Sequence, residues 1–113
     1  MREFFRELVH ALEGGEAAVL VSVLESSGST PRGAGAMMAV FSGGRSTGTV
    51  GGGNVEYEAQ KLCAELLEEK RDALRRFRFV QGDAASLGMV CGGDVTLLFT
   101  YLPAGDGAAV RVF

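Results

Sequence analysis

Apolar residues in the first segment recur at intervals of four: Phe4, Leu8 and Leu12 form one line, with Phe5 and Val9 beside it. That spacing draws a single stripe on a helix, which Gly14 and Gly15 end. His10, the chain's one histidine, falls off the stripe with no partner nearby in sequence, and is expected to face solvent. From Ala17 the pattern changes. The run "AAVLVSVLES" is β-branched and continuously apolar in its middle, which predicts a central strand buried on both faces. "AMMAVF" and "RSTGTV" are short strand-like runs separated by Ser42, Gly43 and Gly44, a spacing that predicts a hairpin with a short glycine turn. Val55, Ala59, Leu62, Cys63 and Leu66 share one face of a second helix ending near Arg71, and Glu58, Lys61, Glu65, Glu68 and Glu69 cover the other. "RFRFV", Arg76 to Val80, alternates arginine with Phe77 and Phe79 and predicts a half-buried strand. "DVTLLFTYL" reads as another core strand, and the tail "PAGDGAAVRVF" as an added edge strand or a frayed end. The expected fold is a compact α/β (α+β) domain, a mixed sheet of about five strands with two principal helices.

Three stretches break this periodicity. "SSGSTPRGAG", Ser26 to Gly35, is punctuated by Gly28, Pro31, Gly33 and Gly35 and reads as a loop. "GTVGGGNVEYEA", Gly48 to Ala59, sets Gly51, Gly52 and Gly53 directly before the second helix. Glycine is required where φ is positive or where another chain comes too close for a Cβ. A helix starting there presents unpaired N–H groups and a partial positive charge, so the turn is an anion site in principle. It is equally a tight strand-to-helix turn, with Asn54 or Gly53 as N-cap and Glu56 suited to the dipole of the first turn. It lacks the Lys and Ser/Thr of a P-loop and the spacing of GxGxxG. "QGDAASLGMVCGG", Gln81 to Gly93, is the third loop, and it places Cys91 before Gly92 and Gly93.

Composition sharpens this picture. Glycine supplies 17 of 113 residues, roughly twice the ordinary share of about 7%, so the glycine loops are a feature of the chain and not background. The net charge of -3 argues against a broad phosphate-binding surface and sets nucleic acid aside. Lys70, Arg71, Arg75, Arg76 and Arg78 form the one basic cluster, either a solvated face or a docking patch. Charges interrupt the N-terminal segment, and no apolar run approaches the 18 or so residues that span a bilayer. The expectation is a cytoplasmic protein with no membrane association. Cys63 and Cys91 make no CxxC or zinc-like set. Cys63 on an apolar helix face reads as a small hydrophobe, whereas Cys91 on a glycine-flanked loop is either a buried structural residue or a thiolate able to bind soft metals or attack sulfur.

"SSGSTPRGAGAMMAV", "GTVGGGNVEYEA" and "GMVCGG", in that order and approximate spacing from about Val19 to Leu98, resemble the N-terminal domain of the XdhC/CoxI family, accessory factors of xanthine dehydrogenase and related molybdenum hydroxylases. The resemblance implies a maturation factor that binds molybdenum cofactor (molybdopterin) as cargo, assists its sulfuration and delivers it to an apo-hydroxylase. It implies a cofactor site of Ser29, Arg32, Gly51, Gly52, Gly53, Asn54, Glu56, Cys91, Gly92 and Gly93, with Cys91 as the residue that reaches the metal. Asn54 stands where many relatives carry a second cysteine, so a two-thiolate site is not implied. Longer relatives continue into a Rossmann-like domain, and the expectation here is a single domain, residues 1–113, that resembles the shorter form or one subunit of a split pair. The implied partners are the apo-hydroxylase, a cysteine desulfurase or separate Rossmann-domain subunit, and a second copy in a homodimer. Two other readings compete with this non-enzymatic one: a thiol enzyme using Cys91 in sulfur transfer, and a structural scaffold subunit.

Overall fold

The computed structural model describes residues 2–28, 35–51, 53–79 and 93–105. Two helices and five strands follow one another as α1 (Arg2–Glu13), β1 (Ala18–Gly28), β2 (Met37–Phe41), β3 (Ser46–Gly48), α2 (Gly53–Glu69), β4 (Ala73–Phe79) and β5 (Gly93–Leu102). The strands form one sheet in the order β3-β2-β1-β5-β4, and every pairing among them is antiparallel. The hairpin expected around Ser42 to Gly44 joins β2 to β3, and the continuously apolar run takes the centre of the sheet as β1.

A helix lies on each face. Val19, Val21 and Val23 of β1 point to one side, where Val55, Ala59, Leu62, Cys63 and Leu66 of α2 meet them together with Val95, Leu97 and Phe99 of β5. Ala18 and Leu20 point to the other, toward Leu8, Ala11 and Leu12 of α1, with Ala39, Phe41 and Leu102. The stripe predicted on α2 is the set of residues that it buries. Cys63 is fully buried among them, and burial pushes its thiol from the ordinary 9.0 up to about 12. A thiol reagent at pH 8 should therefore leave Cys63 unlabelled until the protein is unfolded; rapid native labelling of this residue would contradict its placement. The unfolded chain ionises first as pH rises above 9, so this thiol's stabilising contribution is lost between pH 9 and about 12.

The ends of both helices are explicit in the backbone. Gly15 adopts φ +103°, its N–H reaches the Leu12 carbonyl at 3.2 Å and that of Glu16 reaches Ala11 at 2.9 Å, the two bonds of a Schellman cap. α2 stops at Lys70, whose φ of 58° and 2.7 Å bond to the Leu66 carbonyl close the helix with a non-glycine residue. Arg45, on the β2–β3 turn, clamps α1 from outside. Its guanidinium bonds Glu7 at 3.1 Å and Glu16 at 2.7 Å and lies 4.5 Å from the centre of the Phe41 ring.

Two boundaries differ from the sequence reading. Ser26 to Gly28, read as the start of a loop, belong to β1, because β5 pairs with them out to Gly28 opposite Gly93. Gly93, read as the end of the third loop, accordingly opens β5. β4 starts at Ala73, three residues before the alternation of arginine and phenylalanine becomes visible. The tail from residue 106 lies outside the described residues.

Candidate functional site

The register fixes where the three glycine-bearing stretches leave the sheet. β1 ends at Gly28, β3 at Gly48 and β4 at Phe79; the three strands run in the same direction, but only Gly28 and Phe79 reach the same end of the sheet, since Gly48 is opposite Met38, which is opposite Val21. Gly28 and Phe79 both lie opposite Gly93, so the strand ends that flank residues 29–34 and 80–92 are immediate neighbours. The 49–53 turn leaves nearer the sheet's middle: Met37, whose carbonyl accepts from Thr49 N–H at 3.1 Å, is opposite Ser22. From Ser22 to Gly28 is about 20 Å at about 3.3 Å per residue. Residues 29–34 lie outside the described residues; the chain is described again at Gly35, whose N–H bonds the Val23 carbonyl at 2.9 Å.

The glycine turn is the best-defined part. Gly51 has φ +138° and Gly53 φ +58°, so the need for bare backbone at these two positions is real. Val50 and Val55, both buried in the α2-side core, pin the turn from either side. Between them Thr49 makes two contacts: its hydroxyl donates to the Glu56 carboxylate and accepts the Gly51 N–H at 3.2 Å. Glu56, in the first turn of α2, thus ties the helix start to the strand end. This has a chemical consequence. The positive end of α2 already faces a carboxylate, and Gly51 N–H is committed to Thr49, so an anionic ligand would draw on other donors. Thr49 is the residue that sequence reasoning missed; the signal for it is a hydroxyl residue two positions before a glycine N–H, the spacing of a local side-chain turn.

Of the expected site residues, the structure places Gly51, Gly53, Asn54 and Glu56 together at the start of α2 and Gly93 at the start of β5. Ser29, Arg32, Gly52, Cys91 and Gly92 lie outside the described residues. Among the described residues no group of three or more His, Cys, Asp or Glu could hold a metal. His10 is exposed on the last turns of α1, close to Leu12, whose carbonyl accepts from Gly105 at 2.6 Å. Leu102 and Ala18 pair at that end of the sheet. It is the end opposite Gly93, so the one histidine of the chain is remote from the start of the strand that follows Cys91.

Removing the Thr49 hydroxyl isolates its contribution. Thr49→Val should lower stability by about 1.5–3 kcal/mol, the scale of a hydrogen bond to a charged group, as read by urea unfolding, and Thr49→Ser should recover most of it. A Thr49→Val protein as stable as the parent would show that the turn does not depend on this link.

A five-stranded antiparallel sheet between two helices, with glycine-bearing connections after β1, β3 and β4, defines a small loop-presenting α/β domain. The sequence model of the XdhC and CoxI family matches residues 11–78, more than half of the chain, and the chain belongs to that family. The molybdenum cofactor insertion chaperone PaoD of Escherichia coli (strain K12) is 38% identical over 97 residues, covering 85% of this chain and 30% of PaoD. The uncharacterized protein YqeB of the same organism is 32% identical over 81 residues, covering 72% of this chain and 15% of YqeB. The chain therefore spans less than a third of the length of these curated relatives. A crystal structure described as a xanthine dehydrogenase from Bacillus halodurans superposes with a TM-score of 0.76 at 22% identity, over 96% of this chain and 33% of that one. At that identity the likeness shows the fold. No helix among the described residues is long and apolar enough to cross a membrane.

Proposed function

We propose that this domain binds molybdenum cofactor as cargo, holds it while it is sulfurated, and passes it to the apo form of a xanthine dehydrogenase-type molybdenum hydroxylase, without catalytic turnover of its own. The observation that carries the reading is that the strand ends flanking two of the family motifs, Gly28 and Phe79, lie on either side of Gly93, in a chain 38% identical to a protein named as a molybdenum cofactor insertion chaperone. The cargo's chemistry fits the donors that these stretches offer. A pterin with a phosphate tail and an anionic metal dithiolene calls for N–H donors and a cation, and a thiophilic metal calls for a soft ligand.

In this reading Arg32 supplies the cation and Ser29 a hydroxyl donor. Gly52, Gly53 and Asn54 offer backbone groups beyond the one that Thr49 occupies, Gly92 and Gly93 let the cargo approach the backbone closely, and Cys91 is the soft ligand. Gly51 shapes the turn, and Glu56 acts through Thr49 as its brace. The partners are the apo-hydroxylase and, for sulfur supply, a cysteine desulfurase. A second copy of the domain, or a separate Rossmann-domain subunit, covers the cargo from water.

Transfer is the test. Cofactor-loaded domain mixed with cofactor-free hydroxylase should restore hydroxylase activity faster and to a higher level than the same quantity of free cofactor. Equal restoration by free cofactor would end the delivery role.

A further inference from the structure

β4 is the last strand of the sheet. Ala73–Phe79 pair with β5 on one side, and among the described residues no strand lies on the other. An open edge of seven residues offers alternate N–H and C=O groups to another extended chain. Three of its seven residues are arginine, Arg75, Arg76 and Arg78, in a chain of net charge -3. On the α2 side Ala73 and Phe77 pack against the core. Arg75, between them, lines a groove of about 500 Å³ with Glu58, Lys61 and Glu65 and makes no ion pair among the described residues. On the other side Leu74 is 61% exposed beside its partner Leu98, and Arg76 bonds Asp94 at 2.7 Å. That face is open for a geometric reason. α1 is about 18 Å long for its 12 residues, while the 11 residues of β1 extend about 36 Å, and the core that α1 forms takes residues of β1, β2 and β5 but none of β4, so Leu24 toward the far end of β1 and Leu74 on the edge strand stay uncovered.

We propose that β4 is a docking edge for an extended acidic segment of a partner protein, which adds to the sheet as its next strand. The order of side chains along β4 states what that segment carries: apolar residues beside Ala73 and Leu74, carboxylates beside Arg75 and Arg76, an apolar residue beside Phe77. Backbone pairing supplies affinity, and arginine–carboxylate pairs supply register and choice of partner. The same arginines disfavour a second copy, because two β4 strands paired antiparallel about their middle set Arg76 against the Arg76 of the other copy, and like charges directly opposite destabilise a pair. The edge thereby rejects its own kind and accepts the opposite charge.

A labelled eight-residue peptide tests this: a central Glu-Glu pair flanked on each side by Val-Val and then Thr, a pattern that reads nearly the same in both directions. It should bind the whole chain at sub-millimolar concentration and slow amide exchange within Ala73–Phe79, whereas the same peptide with Lys-Lys at its centre should do neither. Arg75→Glu, checked for an unchanged melting temperature, should weaken the acidic peptide by roughly fivefold or more. Equal binding of the two peptides, or acidic-peptide binding with no slowing in β4, would overturn the proposal. So would β4 amides already protected on their outer side in the free protein, which would mean that the chain itself or a second copy occupies the edge.

Discussion

Cys91→Ala is expected to strip the domain of most of its molybdenum, a fall of roughly tenfold or more in retained metal, as losing a ligand or its support does at metal sites, while Cys63→Ala keeps its load. The contrast follows from the surroundings of the two thiols. A soft metal binds thiolate, and Cys63 has no route to that form near neutral pH: it is fully buried on α2, its thiol is pushed up to about 12, and its neighbours are the valines and leucines of the core. Cys91 stands two residues before Gly93, which opens β5, and is the soft ligand of the proposed site. Truncating Cys63 costs a small cavity and stability on the order of 1 kcal/mol, visible in unfolding and absent from metal content. Metal and pterin measured on both variants after anaerobic purification decide the matter. Equal retention by Cys91→Ala and the parent would return Cys91 to a structural role.

Gly48→Ala is expected to be strongly destabilising for a change of a single methyl group. Gly48 ends β3 with φ +77°, and a Cβ there would lie 2.4 Å from the Met37 carbonyl oxygen and 2.9 Å from Cε1 of Phe4. Phe4 can rotate, but the carbonyl cannot retreat, because it accepts the Thr49 N–H. Strain and overlap together should cost about 3 kcal/mol, or roughly 10–20 °C in Tm for a domain of this size. Gly44→Ala separates the two causes. Gly44 has φ +97° with nothing within 4 Å of an added Cβ, so it carries the conformational penalty alone, about 1 kcal/mol. If Gly48→Ala and Gly44→Ala cost the same, contact with Met37 is not what restricts this position. Because Gly48 hands the chain to Thr49, its replacement should also disturb the turn that Glu56 braces.

The elements were legible where one periodicity ran uninterrupted. The α2 stripe from Val55 to Leu66 and the central "AVLV" of β1 both follow from burial, which leaves a direct mark on residue choice. Ser26 to Gly28 were not legible as strand, because polar and glycine residues carry no strand signal and only the pairing with β5 makes them one. The start of β4 is not legible because Leu74, Arg75 and Arg76 break the alternation, with Leu74 exposed on an edge strand that the α1-side core does not reach. At the site, the need for glycine at positions 51 and 53 could be read from the sequence, whereas the link from Thr49 to Glu56 could not. It joins residues seven apart through a turn whose dihedral angles bring them together. The Arg45 clamp on Glu7, Glu16 and Phe41 was invisible for a similar reason, being assembled from three separate parts of the chain.

The most direct measurement is the molybdenum and pterin content of the domain itself, purified without oxygen from cells that make the cofactor. The account predicts both in stoichiometric and equal amounts, released together on denaturation, and lost together in Arg32→Ala. Protein that carries neither, and that takes up neither when titrated with isolated cofactor, would contradict it.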